Sequence, residues 1–124
     1  EGDVALHNTL GKGEVWWLAP SISMSCAARN NSADLAKVCS TLLSEELAEQ
    51  PFRFAGYSDG AIMRVLRSGN EYITIITNNL STPCSLKLVA PKGLTATPIF
   101  GSAKLSKSGK VTLGGRETLV LRWK

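Results

Sequence analysis

The feature that most constrains this chain is a change of hydrophobic period at Pro51. Before it, Leu35, Val38, Cys39, Leu42, Leu43 and Leu47 recur at helical spacings of three and four. After it the period becomes two and stays there to the end of the chain. The runs PFRFA (51–55), AIMRVLR (61–67), NEYITIITNN (70–79), CSLKLVA (84–90), TATPIF (95–100), KVTL (110–113) and ETLVLRW (117–123) read as strands. Between them stand turn residues: Asp59-Gly60, Ser68-Gly69-Asn70, Pro91-Lys92-Gly93, Ser108-Gly109 and Gly114-Gly115. Short strands at intervals of about ten residues, with no helix between them, predict an antiparallel sandwich or barrel. The expected fold is mainly β: an antiparallel β-sandwich of about seven strands over 51–124, preceded by one strand and one amphipathic helix in 1–50.

Individual strands carry positional information. YITIIT places Tyr72 and Ile76 on one face and Ile73 and Ile75 on the other, so it is expected to be central and covered on both sides. In CSLKLVA, Cys84, Leu86 and Leu88 alternate with Ser85 and Lys87, so one face meets water. In the last strand Leu119, Leu121 and Trp123 point one way and Arg122 the other. Pro98 lacks a donor for the ladder and marks an edge. Upstream, Glu14–Ala19 reads as a strand closed by Pro20, SISMSCAARNN as an irregular connection, and the residues after an Asn31 or Ser32 cap as a helix of about 15 residues ending before Pro51.

The chain of 124 residues is long enough for one modest core, and no apolar run approaches the roughly 18 residues of a membrane span. It starts at Glu1 with no basic n-region or apolar h-region, so any targeting segment is expected to be missing or already removed. The net charge of +4 is unevenly spread. Residues 1–50 hold three basic and seven acidic side chains, and residues 51–124 hold eleven basic and three acidic. Such a split fits nucleic-acid binding or mutual attraction between parts of one assembly. The basic residues are dispersed and no RNP-like aromatic motif occurs, so nucleic acid is not expected as a partner.

No constellation specifies an activity. Cys26, Cys39 and Cys84 are far apart, form no CxxC pair and are expected to be buried inert thiols. His7, the single histidine, is remote in sequence from every cysteine and is expected to be exposed. Among the acids, Asp59, Glu71 and Glu117 lie beside turns, and Glu46 projects near the centre of the helix's apolar stripe, where a fraying last turn would expose it. The sequons at Asn30 and Asn79 matter only in a secreted eukaryotic setting. No catalytic, cofactor-binding or metal-ligating residue is assigned.

The stretch GKGEVWWLAP (11–20) invites a phosphate-loop reading and fails it. Leu6 stands where a Walker-type loop needs its first glycine, no Ser or Thr follows Lys12, and the glycines precede a strand instead of following one. Trp16 and Trp17, as neighbours on a strand, point to opposite faces and cannot form one platform; one of them is expected to enter a core or an interface.

The order of these elements is similar to the C-terminal end of family 42 type β-galactosidases and related multidomain glycoside hydrolases. The resemblance is carried by GKG followed by the strand VWWLAP, the helix LAKVCSTLLSEEL, the run MRVLRSGNEYITIITNN and the ending ETLVLRW. Within it, Arg67, Gly69, Tyr72, Ile73, Ile75 and Asn78 match the first central hairpin of the family's small β-sandwich. The Trp16-Trp17 pair and the SISMSCAARNN linker depart from the family pattern. The resemblance implies that 1–50 borders an amidotransferase-like α/β domain and that 51–124 is a terminal sandwich. The family's catalytic glutamates sit on a barrel that would lie upstream, so no catalytic role carries over. The implied role is a noncatalytic accessory region packing against the remainder of a larger polypeptide or a second copy. The alternative is a carbohydrate-binding module in which Trp16, Trp17, Tyr57 or Trp123 stacks on a sugar ring. No cofactor and no membrane partner is expected.

Overall fold

The computed structural model describes residues 5–18, 24, 28–29 and 32–124. The chain divides into two units, 1–48 and 49–124. The connection at 19–31, with Pro20, Cys26 and the Asn31 cap, lies almost wholly outside the described residues.

The first unit opens with an antiparallel hairpin of β1 (Ala5–Leu10) and β2 (Gly13–Leu18). Leu10 faces Gly13 across a two-residue Gly11-Lys12 turn, and Gly11 has φ 63°. A two-residue hairpin needs positive φ at its first turn position to match the twist of its strands, and glycine reaches it without a Cβ clash. That is the work of the Gly-Lys-Gly step. The sequence reading has no strand at 5–10, because ALHNTL lacks a clear alternation; the partner of β2 is that strand, and it runs antiparallel.

The single helix expected here is two helices, α1 (Ser32–Leu42) and α2 (Ser44–Glu49), interrupted at Leu43. Just before the interruption, the Ser40 and Thr41 hydroxyls both donate to the Lys37 carbonyl, at 3.0 and 2.9 Å. Such back-bonding competes with the backbone ladder and bends helices. The bonds Leu43 N to Cys39 O and Leu47 N to Leu43 O, each 2.9 Å, still bridge the break.

The second unit is mainly β, consistent with a β-sandwich. It contains β3 (Arg53–Phe54), β4 (Ala61–Ser68), β5 (Glu71–Asn78), β6 (Cys84–Val89), β7 (Ala96–Phe100), β8 (Lys110–Leu113) and β9 (Thr118–Trp123). They form a four-stranded sheet in the order β4-β5-β9-β7 and a three-stranded sheet in the order β3-β6-β8, antiparallel at every pairing. Pro98 lies on the edge strand β7, beside a register shift that bulges the strand between Pro98 and Phe100.

Alternation decides which side chains the two sheets enclose. Ile76, Leu119, Leu121 and Trp123 from one sheet meet Leu86, Leu88, Val111 and Leu113 from the other, and Phe52 joins them. Trp123 donates its indole N–H to the Thr74 hydroxyl at 2.9 Å, so the ring is buried without an unpaired donor. Phe52 meets Tyr72 edge-on at 5.3 Å and Trp123 at 5.1 Å between centroids.

Fully buried Asn78 ties the end of β5 to two loops. Its Nδ2 donates to the carbonyls of Thr82 and Gly114, both at 2.8 Å, and its Oδ1 accepts from the Leu80 N–H at 3.0 Å. Among the described residues no helix is long and apolar enough to cross a membrane.

Candidate functional site

A groove of about 590 Å3 lies on the outer face of the three-stranded sheet. Its floor follows from alternation: with Leu86, Val111 and Leu113 turned inward, Ser85 and Lys87 of β6 and Lys110 and Thr112 of β8 must turn outward. Register then sets Ser85 opposite Thr112 and Lys87 opposite Lys110. The two hydroxyls lie 2.9 Å apart, within hydrogen-bond distance. The segment Phe54–Ser58 forms one wall, and Tyr57 stands in it 53% exposed, its hydroxyl donating to Asp59 Oδ1 at 3.1 Å.

Lys110 is held in place by the turn before it. Its N–H donates to Ser106 Oγ at 2.9 Å, its carbonyl accepts from the Ser106 N–H at 2.8 Å, and the Leu88 N–H reaches the Gly109 carbonyl at 2.8 Å. Gly109 has φ 80°, and a Cβ there would overlap the Leu88 carbonyl oxygen, so only glycine lets the turn sit this close to β6. On the edge strand β3, Ala55 N–H donates to the Lys87 carbonyl at 2.8 Å, and Arg53, opposite Val89, projects from the same outer face.

The other residues singled out from sequence do not converge on this groove. Trp16 and Trp17 take opposite faces of the β1–β2 hairpin: Trp16 stacks on His7 at 4.1 Å between centroids and 17° between planes, and Trp17 faces Leu6. Neither enters a core, because a two-stranded hairpin has no second layer of its own; they are 38% and 51% exposed. His7 is itself exposed, with Nε2 3.3 Å from Glu14 Oε2. Trp123 is buried in the sandwich core and presents no ring face to a sugar. It borders a second cleft, of about 620 Å3, whose rim includes Lys104 and Lys107.

The outer face of the four-stranded sheet is open and sets apolar side chains around two arginines, Arg64 opposite Ile75 and Arg122 opposite Ile73. Register aligns Ile62 and Leu66 of β4 with Thr77 and Ile73 of β5, and Val120 of β9 with Ile75 and with Phe100 of β7. Ile62, Leu66 and Phe100 are exposed, and Ile73, Ile75 and Val120 are half-buried. The expectation that YITIIT is covered on both sides is thus corrected. Within this unit the second layer lies on the Tyr72, Thr74 and Ile76 side, and the Ile73 and Ile75 side has no layer over it.

The titratable groups act as structural ties. Arg122 Nε and Lys124 Nζ approach Glu71 at 2.8 and 2.7 Å, and the Arg122 hydrogen bond, followed by that of Lys124, lowers the Glu71 carboxyl to about 2. Glu117 is lowered too, first by the Ser102 hydroxyl at 2.6 Å and then by the Gly114 N–H, also at 2.6 Å. Cys39 is exposed, against the expectation of burial, on a helix none of whose described residues is buried; Cys84 is half-buried, and burial pushes its thiol up. Glu46 is exposed. Among the described residues no group of three or more His, Cys, Asp or Glu could hold a metal ion.

Compared with known proteins, the chain matches no family model and shows no significant match to a curated protein.

Sequence reasoning missed the groove. The outward placement of Lys87 and Lys110 is readable from alternation within each strand, but their direct opposition depends on which strands pair and in what register.

Proposed function

We propose that this chain is a noncatalytic accessory region of a carbohydrate-active enzyme, a glycoside hydrolase, and that its sandwich works by packing and assembly. The observation that carries this reading is the open face of the four-stranded sheet, where Ile62, Leu66 and Phe100 stand exposed beside Ile73, Ile75 and Val120. Arg64 and Arg122 share this face, so it joins exposed apolar side chains to arginine, a residue enriched at protein interfaces, and burying its apolar part contributes roughly 25 cal/mol per Å2. The resemblance of MRVLRSGNEYITIITNN to the small sandwich that ends family 42 type β-galactosidases supports the same role. In isolation the face is free to meet a second copy. The chain is expected to self-associate in sedimentation velocity, and Leu66→Glu, which puts a carboxylate at an exposed apolar position of the face, is expected to return it to monomer. A monodisperse wild-type monomer at high protein concentration overturns the reading.

A second reading, carbohydrate binding, is favoured by one specific observation: the groove beside Tyr57 joins an exposed aromatic ring to paired hydroxyls. Saturable heat on titrating neutral oligosaccharides, lost in Tyr57→Ala, would establish it.

A further inference from the structure

The groove on the three-stranded sheet carries a charge arrangement that the fold does not need. Lys87 and Lys110 are direct cross-strand neighbours, which brings their Cβ atoms to about 4.5–5.5 Å, and like charges so placed destabilise a sheet. A neighbouring carboxylate would offset the repulsion, but the sandwich has none to offer. Residues 51–124 contain three acids. Glu71 is held by Arg122 and Lys124 on the other sheet, Glu117 by Ser102 and Gly114, and Asp59, at the Tyr57 hydroxyl, forms no ion pair with either lysine. Arg53 adds a third cation to the same face. The paired lysines thus concentrate positive charge in the groove, bordered by an aromatic ring and, two residues further along the strands, by the Ser85–Thr112 hydroxyl pair. Two residues of strand span about 7 Å, the scale of one sugar ring with its substituents.

We propose that this groove binds an acidic saccharide, with the carboxylate of a hexuronate unit between Lys87 and Lys110 and the ring against Tyr57. The inference rests on the carbohydrate-binding reading and names the class of sugar. A neutral sugar uses the ring and hydroxyls but leaves the two like charges on neighbouring strands uncompensated. A carboxylate accepts from both, and charge-assisted hydrogen bonds are the stronger kind.

Calorimetric titration of the full chain at low salt tests this with three probes: trigalacturonate, a neutral galactose trisaccharide and inorganic phosphate. Trigalacturonate is expected to bind at least about tenfold more tightly than the neutral sugar, as one or two charge-assisted hydrogen bonds predict. Lys87→Gln and Lys110→Gln are each expected to remove most of that difference while leaving the melting temperature unchanged or higher, since each relieves the repulsion. Arg64→Gln, on the other sheet, is expected to change nothing. Equal affinity for the acidic and neutral sugars overturns the inference and leaves the carbohydrate reading standing. Absence of binding by both sugars overturns both. Phosphate binding as tightly as trigalacturonate overturns the saccharide as occupant and leaves a bare anion site.

Discussion

Residues 5–18 and 61–78 are both hairpins of antiparallel strands, yet they differ in what they bury. The β4–β5 hairpin gains a third strand, β9, and a facing sheet, so Thr74, Ile76 and Asn78 are buried. In the β1–β2 hairpin, with two tryptophans and a glycine turn of good geometry, none of the described side chains is buried. Turn chemistry and β propensity suffice to shape a hairpin. Stability needs a second layer, because an isolated two-stranded hairpin is marginal in water. The helices α1 and α2 repeat the point, since at 11 and 6 residues both are shorter than helices that persist alone, and among their described residues none is buried.

The contrast breaks most visibly by removing equal side chains from the two regions. Leu119 is wholly buried between the sheets, and Leu119→Ala is expected to cost about 2–5 kcal/mol in urea denaturation. Leu10 is 75% exposed, and Leu10→Ala is expected to stay within about 0.5 kcal/mol. Hydrogen exchange is expected to follow the same division, with β5 and β9 amides exchanging only through global opening and β1–β2 amides exchanging far faster. Comparable costs for the two leucines, or equal protection in the two hairpins, would show that the first unit is covered by something beyond its own residues.

A middle-sized effect is expected at Asn78. Asn78→Ala strands the Thr82 and Gly114 carbonyls and the Leu80 N–H, at about 1–3 kcal/mol for a buried group left unpaired. The loss should appear as a lower urea midpoint with an unchanged slope. A negligible loss would mean that water repairs the site, and that loop anchoring contributes little to the difference between the regions.

How much of this was legible depends on which physical signal each element carries. All seven sandwich strands follow from alternation and turn residues, since a strand with one buried face must read apolar at every second position. The strand β1 was invisible because residues 6–10 are all exposed, so no selection for alternation marks it. YITIIT shows the opposite failure: apolar residues on both faces implied two covers, but within its unit one face is open. The Trp16-Trp17 split between faces was legible from strand geometry, and their exposure was not, because exposure depends on a second layer that the hairpin lacks. The groove depends on register, on which KVTL lies beside CSLKLVA, and register between strands 26 positions apart leaves no local trace.

The smallest effect concerns the ion cluster at Glu71, and it tests whether surface charge contributes to the sandwich's advantage at all. Arg122 and then Lys124 lower this carboxyl from 4.5 to about 2, so the folded state holds the ionised form more tightly than the unfolded chain does. The cluster's contribution is therefore fully present above the unfolded value, near 4.5, and is lost progressively as pH falls from there towards 2. Its side chains are partly exposed, at 37% for Glu71, 44% for Arg122 and 59% for Lys124, so solvent screening keeps the effect small. Glu71→Gln should lower the urea midpoint slightly at pH 7 and progressively less between pH 4.5 and 2, with wild type and variant converging at the acid end. Added salt at pH 7 should shrink the same gap. A gap that persists unchanged at pH 2 would mean that Glu71 acts by its shape beside Ile73 and Arg122. The sandwich would then owe its stability over the first unit to burial and hydrogen bonding alone.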